Sequence, residues 1–218
     1  MGERRASLSA AALAGGQSRR MGTDKALLPL TSGGPPMLAL VLASLSQVAE
    51  DVFVVADDQV KYQAFGVRVV PDRYPGTGAL GGIQSAIEHS HQEHCLVVAC
   101  DMPFLNVDLL RRMADESRDY DVLVPLIPGQ SRQRGDGLVF QTLHAIYGKR
   151  CLPFIEARIA KGQRQVVRFF EDVRVRTLDV AEVAACDPNL QSFFNANNPE
   201  SLTQASNIHI AREHELGP

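Results

Sequence analysis

Aromatic residues are scarce in this sequence, and tryptophan is absent. Phenylalanine, tyrosine and tryptophan together make up 6% of the 218 residues. Proteins that bind single-stranded nucleic acid stack bases on aromatic side chains, so this scarcity argues against that function. The chain also lacks an excess of one charge, because its formal net charge is −3. No global field attracts nucleic acid, and any anion site must be local.

Cysteine is also rare, and the four cysteines form no C-x-x-C pair. This argues against a structural zinc site and against the disulfide framework of a secreted protein. No apolar run reaches the roughly 20 residues of a membrane span. Residues 7–14 are too few and too polar for the apolar part of a signal peptide. We therefore expect a cytoplasmic protein without membrane or nucleic-acid partners, and we expect it to act as a monomer.

The overall composition is that of a globular domain. Apolar residues make up 45% of the chain and charged residues 22%. This length suits one domain with a core of its own, and we find no internal repeat and no linker. We predict a single domain over residues 1–206, followed by a flexible C-terminal tail over residues 207–218.

Short apolar runs alternate with segments of helical periodicity in the first half of the chain. Unbroken apolar strands that alternate with helices are typical of a mostly parallel sheet with both faces covered. The pattern predicts an α/β protein with a three-layer α/β/α, Rossmann-like fold and a mostly parallel mixed sheet. Strands are predicted at residues 10–14, 52–56, 67–70, 95–100 and 121–124, and helices at 36–48, 80–89 and 107–117.

The second half is less regular. Residues 129–137 have the composition of a polar, basic loop, and two short strands after it could form the antiparallel edge of the sheet. A short helix is predicted to open at Pro199. The short strands are predicted at 137–140 and 144–147, further helices at 149–160 and 165–170, and a last strand at 173–178.

A glycine-rich loop with three cations follows the first predicted strand. Paired glycines let the backbone turn sharply and bring bare N–H groups up to a ligand. Arginine and lysine side chains a few residues later can neutralise phosphate oxygens. The pattern indicates a triphosphate site, and the alternative is an ordinary turn with solvated charges. The loop covers residues 13–25 and contains Leu13, Ala14, Gly15, Gly16, Arg19, Arg20 and Lys25.

Aspartates follow three further predicted strands. Asp57, Asp72 and Asp101 each stand just after a strand end, and ligands of parallel sheets lie beyond the carboxyl ends of the strands. Pro103 stops the strand that precedes Asp101. A carboxylate there can hold Mg²⁺ between phosphate oxygens. For all three aspartates the alternative is a turn or a helix cap.

The string at residues 13–25 resembles the signature L-A-G-G-x-S-x-R-M-G-x-D-K of the molybdenum cofactor guanylyltransferases, which belong to the nucleotidyltransferase superfamily. The resemblance recurs at Asp72, at residues 100–103 and at residues 194–200, so it spans nearly the whole chain. It implies a fold of the nucleotide-diphospho-sugar transferase type. It also implies Mg²⁺-dependent transfer of GMP from GTP to the terminal phosphate of the molybdopterin cofactor, with release of pyrophosphate. Other molybdenum-cofactor biosynthesis proteins and apo-molybdoenzymes are implied as further partners.

The resemblance also implies roles for individual residues. Lys25 would contact the phosphates and stabilise the charge that develops on them, although Asp24 beside it could partly offset its charge. Arg19 would clamp the triphosphate, and Asp101 would bind the metal; these three are the catalytic candidates. The implied nucleotide-binding residues are Leu13, Ala14, Gly15, Gly16, Lys25, Asp57, Asp72 and Asp101.

Base selection is less clear from the sequence. Asp57 stands where members of the family often carry asparagine. A carboxylate can accept hydrogen bonds from both N1–H and the exocyclic amine of guanine, whereas an amide cannot present two acceptors. In the F-x-N-x-N-x-P-E segment, Asn195 and Asn197 carry amides that suit the donors and acceptors of a pterin. The alternative for that segment is a simple Asn-Pro turn.

Residues 76–81 spell G-x-G-x-x-G, the fingerprint of dinucleotide-binding proteins, and Asp101 follows about twenty residues later. Five residues, 71–75, separate the first glycine from the predicted strand, whereas the fingerprint needs its glycines at the strand end. We therefore reject this interpretation. Members of the family resembled carry a shorter segment here, so this chain holds an insertion.

Two other functions remain open at this point. The same fold could transfer CMP to the cofactor, or a nucleotide to a sugar phosphate. A protein of a different class would bind the nucleotide and handle the cofactor without catalysis, but Asp101 and Lys25 argue against it.

Overall fold

The computed structural model describes residues 7–14, 24–131 and 135–216. Their strands form one eight-stranded sheet with the order β3-β2-β1-β4-β7-β5-β6, in which β8 also pairs with β5. The strands are β1 (Ser9–Leu13), β2 (Asp51–Val55), β3 (Arg68–Val70), β4 (His94–Ala99), β5 (Val122–Ser131), β6 (Gly135–Phe140), β7 (His144–Gly148) and β8 (Val175–Leu178).

Helices connect most of these strands. None of the helices among the described residues is long and apolar enough to cross a membrane. The α-helices are α1 (Met37–Leu45), α2 (Gln59–Tyr62), α3 (Ala79–His89), α4 (Val107–Ala114), α5 (Leu152–Ala160), α6 (Val180–Ala184) and α7 (Pro199–Leu216). Short 3₁₀ helices cover Lys25–Leu27, Gln63–Phe65, Lys149–Cys151, Val166–Asp172 and Gln191–Phe193.

Strands β1 to β4 are mutually parallel, and their register aligns their carboxyl ends. Leu13 pairs with Val55 on one side and with Ala99 on the other, and Val55 pairs with Val70. The loops that follow these four residues therefore leave the sheet along one edge. β7 runs antiparallel to β4, and β5 runs antiparallel to β7, so the sheet is mixed.

Side chains alternate between the two faces of the sheet, as the period of a strand requires. On β1, Ala10 and Ala12 pack with α1, α4 and α6, whereas Ala11 and Leu13 pack with α3 and α5. Both faces are covered by helices, which confirms the predicted three-layer α/β/α fold. The continuous apolar runs of β1 and β4 follow from this burial on both faces.

The predicted loop at residues 129–137 is wrong at both ends. β5 continues to Ser131, β6 begins at Gly135, and Gly129 pairs with Gly137 across the hairpin. A side chain at Gly129 would stand 3.3 Å from Val139 Cγ2, so the missing side chain permits close packing here. Glycines that suggest a loop in the sequence instead allow two strands to approach each other.

The helix predicted to open at Pro199 is longer than expected, because α7 remains helical through Leu216 and includes most of the segment predicted as a C-terminal tail. Its few apolar positions recur every three residues and pack on a third, smaller core cluster. Ala205, Leu202 and Ile208 contact this cluster, which contains Met37 and Phe104. The tail was expected because the rest of the helix surface is polar, which hides a narrow apolar stripe.

One substitution in α3 tests the packing beneath the strand edge. Alanine for glycine in a helix interior normally stabilises by up to about 1 kcal/mol. At Gly81 the new Cβ would stand 2.7 Å from the backbone oxygen of Tyr74, which cannot move aside freely. We expect Gly81→Ala to lower the free energy of unfolding by about 1–3 kcal/mol, as overpacking does.

Urea denaturation measures this change. Gly137→Ala is the control, because a Cβ there meets no atom within 4 Å; its free energy of unfolding should stay within about 0.5 kcal/mol of the wild-type value. A Gly81→Ala variant more stable than wild type would show that α3 does not fit the 74–77 turn closely.

Candidate functional site

The aligned strand ends bring several predicted residues to one edge of the sheet. Leu13 is buried, and its carbonyl accepts a hydrogen bond of 3.2 Å from Cys100 N–H. Ala14 N–H donates to Val55 O at 3.0 Å. These bonds continue the parallel pairing one residue past the strands. The segments that begin at Ala14 and at Asp101 therefore leave the sheet next to each other.

Lys25 and Asp101 meet through the loop before α7. The backbone oxygen of Asp101 accepts from Ala196 N–H at 2.9 Å, and the Lys25 ammonium donates to the backbone oxygen of Asn197. Adjacent residues of one loop therefore contact the backbone of Asp101 and the side chain of Lys25, and the Lys25 charge is near enough to exert a lowering effect on the pKa of the Asp101 carboxyl. The structure places these two groups and the asparagine-rich loop at one site, whereas their individual roles remain predictions.

The pKa of the Asp101 carboxyl is shifted upward in this site. Burial raises its pKa above the ordinary value, while its own backbone N–H and the positive charge of Lys25 act in the opposite direction. Among the described residues, no arginine, lysine or histidine forms an ion pair with it. A desolvated carboxylate without a partner attracts a cation, and this is the environment that a metal-binding residue requires.

The donor set fits Mg²⁺ bound together with a nucleotide. In the described part of the chain, no three histidine, cysteine, aspartate or glutamate side chains cluster to hold a metal by themselves. Mg²⁺ is commonly held by one or two carboxylates plus substrate phosphates and water. A single carboxylate at Asp101 is compatible with that pattern, in which phosphate oxygens and solvent would supply the remaining ligands.

Asp24 does not neutralise Lys25. Its carboxylate instead forms an ion pair with Lys61 and accepts a hydrogen bond from the hydroxyl of Tyr62. Burial acts to raise the pKa of Asp24, but these contacts and the Ala26 N–H outweigh it and hold the pKa below its usual value. The Lys25 ammonium therefore remains available to a ligand, which corrects the expectation that Asp24 offsets its charge.

The other two strand-end aspartates differ from each other. Asp57 is exposed after β2. Asp72 follows β3, and its Oδ1 accepts from Tyr74 N–H at 2.9 Å and from the Ser85 hydroxyl at 3.2 Å. One carboxylate oxygen of Asp72 thus organises the turn before α3, as the turn interpretation expects. A role in nucleotide binding remains a prediction for both.

Part of the predicted phosphate loop lies outside the described residues. This holds for Gly15, Gly16, Arg19 and Arg20, and their roles stay predictions. The G-x-G-x-x-G segment is described. Gly76 and Gly78 have positive φ values of 82° and 74°, and eight residues (71–78) lie between β3 and α3. This spacing agrees with the rejection of a dinucleotide fingerprint.

A cavity of about 520 Å³ lies next to Asn195, and the sequence did not indicate it. Its wall comes from the β5–β6 hairpin, the turn before Asn195 and helix α7, which are far apart in the chain. No local motif could therefore reveal the cavity. Asn195 is the predicted residue that lines it, whereas Asn197 does not. The polar lining side chains are amides: Gln141, Asn189, Gln191, Asn195 and Gln204.

Comparison with known proteins gives consistent relatives. The family model described as a MobA-like NTP transferase domain matches residues 10–177. A protein of Pelotomaculum thermopropionicum named probable molybdenum cofactor guanylyltransferase is 38% identical, over 88% of this chain and 89% of its own length. A molybdenum cofactor guanylyltransferase of Desulfosudis oleivorans is 30% identical, over 88% of this chain and 91% of its own length.

Solved structures show the same fold. Molybdopterin-guanine dinucleotide biosynthesis protein A of Archaeoglobus fulgidus superposes with a TM-score of 0.76 at 26% identity, over 93% of this chain and 99% of its own. A 2-C-methyl-D-erythritol 4-phosphate cytidylyltransferase of Thermus thermophilus superposes with a TM-score of 0.66 at 15% identity, over 93% of this chain and 98% of its own. At that identity the second similarity concerns the fold alone.

The environment of Asp101 yields a prediction about stability. The pKa of Asp101 is higher in the folded protein than in the unfolded chain. Ionisation of Asp101 therefore lowers the free energy of unfolding at a pH above the folded-state pKa, and this loss disappears as the pH falls to the unfolded-state pKa. Asp101→Asn should therefore raise the melting temperature at pH 7 by about 2–4 °C, roughly 1 kcal/mol for this chain length. The gain should vanish near pH 4.

Calorimetry of the ligand-free protein at several pH values measures this gain. Asp108→Asn is the matched control, since Asp108 is exposed in the first turn of α4 and pairs with Arg111. It should lose a little stability at pH 7. A lower melting temperature for Asp101→Asn at pH 7 would mean that the carboxylate serves the fold rather than a ligand.

Proposed function

The chain belongs to the MobA-like NTP transferase family, and we propose that it transfers GMP from GTP to the terminal phosphate of molybdopterin, with release of pyrophosphate. The observation that supports this proposal is that the 195–198 loop contacts both the Lys25 ammonium and the backbone of Asp101 beyond the carboxyl ends of β1 and β4, with the Lys25 charge acting on the Asp101 carboxyl. The names of the relatives supply the identity of the nucleotide and of the acceptor.

The proposed reaction needs positioning more than acid–base chemistry. A phosphate oxygen of the acceptor attacks the α-phosphorus of GTP in line, the bond from that phosphorus to the bridging oxygen breaks, and pyrophosphate leaves with the electron pair. The attacking group is already an anion, so no general base is required. Catalysis then consists of alignment and charge neutralisation.

Lys25 would neutralise charge that develops on the triphosphate. Its ammonium contacts Asn197 O and has no carboxylate partner among the described residues, because Asp24 pairs with Lys61. Asp101 would hold Mg²⁺ at the phosphates. Such a metal would screen the charge of the leaving pyrophosphate. This metal dependence is part of the proposal and rests on the donor set described above.

The cavity beside Asn195 suits the acceptor. Its amide side chains offer donors and acceptors without charge, and Phe193 and Phe194 add apolar surface. A pterin is a flat ring with alternating donors and acceptors, for which such a lining is appropriate. Asn195 immediately precedes Ala196, whose N–H binds the backbone oxygen of Asp101, so the cavity lies one residue along the chain from a contact with Asp101. The acceptor phosphate would enter from this side.

We also propose that the reaction takes place in the cytoplasm and that the protein acts as a monomer. The product would pass to other proteins of molybdenum-cofactor biosynthesis or to apo-molybdoenzymes. These points rest on the sequence and on the chemistry of the proposed product.

Asp101→Asn tests the proposed reaction. The substitution keeps the size of the side chain and removes the charge that would hold the metal. We expect kcat/KM for Mg²⁺-dependent guanylyl transfer to fall at least about 1000-fold, because electrostatic stabilisation of the transition state is lost. The affinity for GTP should change only modestly. Pyrophosphate release with GTP and molybdopterin is the measurement.

Asp108→Asn is again the matched control and should retain wild-type turnover. Near-normal transfer by Asp101→Asn would remove Asp101 from the mechanism. Tight binding of GTP by wild-type protein without any pyrophosphate release would instead favour a nucleotide-binding protein that is not an enzyme.

Asn195→Ala tests the acceptor cavity separately. Loss of one hydrogen bond to the acceptor, worth about 1 kcal/mol, should raise the KM for molybdopterin about fivefold. The Kd for GTP should stay unchanged. Asn198→Ala is the control, because Asn198 lies in the same loop, caps α7 by accepting from Ser201 N–H at 2.8 Å, and does not line the cavity.

Both variants should lose some stability, but only Asn195→Ala should change the KM for molybdopterin. An equal KM in Asn195→Ala and wild type would place the acceptor elsewhere.

A further inference from the structure

Tyr62 makes a contact that the proposed reaction does not explain. Its side chain is 3% exposed, and the ring packs in the same core cluster as β1 and α1. Its hydroxyl lies 3.1 Å from the backbone oxygen of Ala14 and also contacts the Asp24 carboxylate. Ala14 and Asp24 are the residues on either side of the 15–23 segment, which carries most of the predicted phosphate loop.

From this geometry we propose that Tyr62 is a positioning residue, which joins the two ends of the phosphate loop and thereby orients Lys25 toward the nucleotide. The inference rests on the proposed function, because it assumes that this loop binds GTP. Tyr62 itself touches neither the nucleotide nor the acceptor in this proposal. It acts through Asp24 and Ala14.

Several contacts fix the position of Asp24, which lies at the C-terminal end of the predicted phosphate loop. Oδ1 of Asp24 accepts from Ala26 N–H at 3.0 Å and caps the 3₁₀ helix that begins with Lys25. The other oxygen receives Tyr62 and Lys61, which are consecutive residues of α2. The start of the Lys25 helix is therefore attached to α2 by a charged and a neutral contact.

The Ala14 end is held from two sides. Its N–H donates to Val55 O at 3.0 Å, and its carbonyl faces the Tyr62 hydroxyl. The phenol has one proton to share between Ala14 O and Asp24. Burial and the negative charge of Asp24 raise the pKa of Tyr62, so that this proton stays in place at neutral pH. The hydroxyl can therefore act as a donor throughout the working range of the enzyme.

The expected consequence concerns nucleotide affinity. With both ends of the loop held, less conformational entropy is lost when GTP binds. Without the hydroxyl, the link between Ala14 and Asp24 is lost, although Ala14 N–H still binds Val55 O and Asp24 still binds Lys61. The nucleotide must then fix the two ends relative to each other. We expect Tyr62→Phe to weaken GTP binding about tenfold. Because Tyr62, Ala14 and Asp24 do not line the cavity beside Asn195, the KM for molybdopterin should stay within twofold of wild type.

Tyr147→Phe is the matched control. Tyr147 is fully buried, and its hydroxyl donates to Thr142 O at 2.7 Å, away from the loop ends. Removal of either hydroxyl should lower the melting temperature by a similar amount. A merely structural role for Tyr62 would then leave GTP affinity equal in the two variants.

Calorimetric titration of GTP into wild type, Tyr62→Phe, Tyr147→Phe, Asp24→Asn and the Tyr62→Phe/Asp24→Asn pair tests the proposal. The titrations are run well below every melting temperature. We expect weaker binding for Tyr62→Phe but not for Tyr147→Phe. The double variant should lose less affinity than the two single variants combined, because both substitutions weaken the contact between Tyr62 and Asp24.

The outcomes separate the two proposals. If wild type binds GTP and Tyr62→Phe binds it equally well, or if the two substitutions are additive, the positioning role is wrong and the proposed function stands. If wild type itself binds no GTP, the proposed function fails, and the positioning role fails with it.

Discussion

The parallel pairing of β1 with β4 is the constraint on which the site depends. Both strands are buried on both faces, so a shift of one residue would turn apolar side chains of each strand to the wrong layer. The register is therefore held by the whole core rather than by the site. With Leu13 opposite Ala99, the Cys100 N–H meets Leu13 O, and Asp101 follows directly. The core thus sets the position of the metal-binding candidate.

The three charged side chains at this edge, Asp24, Lys25 and Asp101, are not paired with one another. Asp24 takes Lys61 and Tyr62, Lys25 takes a backbone oxygen of the 195–198 loop, and Asp101 is left desolvated without an ion pair among the described residues. A protein built for stability alone would pair Asp101 with Lys25. The observed arrangement costs stability in the ligand-free protein, and binding of the proposed cation and triphosphate would offset that cost.

The sequence could predict the parts of this arrangement that depend on strong local patterns. Unbroken apolar runs identified β1 and β4, and the aspartates after strands identified the edge where Asp101 lies. The resemblance to a protein family was recognised from motifs at residues 13–25 and 194–200. In contrast, the hairpin of β5 and β6 was missed because Gly129 and Gly137 resemble loop residues, although they pair with each other across the two strands.

Contacts between distant segments were not accessible from the sequence. The cavity beside Asn195 is formed by three segments that are far apart in the chain, and the motif at 194–200 contributes only part of its wall. Tyr62 is a single aromatic residue in a short helix, and its partners lie 48 and 38 residues away. Helix α7 packs on Met37 and Phe104 through a few apolar residues up to Ile208, and the polar sequence around them conceals this contact.

Diffraction from crystals that contain GTP and Mn²⁺ tests the central claim most directly, since the anomalous signal locates the metal independently of the protein. The account predicts a metal peak about 2–2.5 Å from an Asp101 carboxylate oxygen, with the triphosphate between that metal and the Lys25 ammonium. A metal and triphosphate bound away from both residues would contradict it.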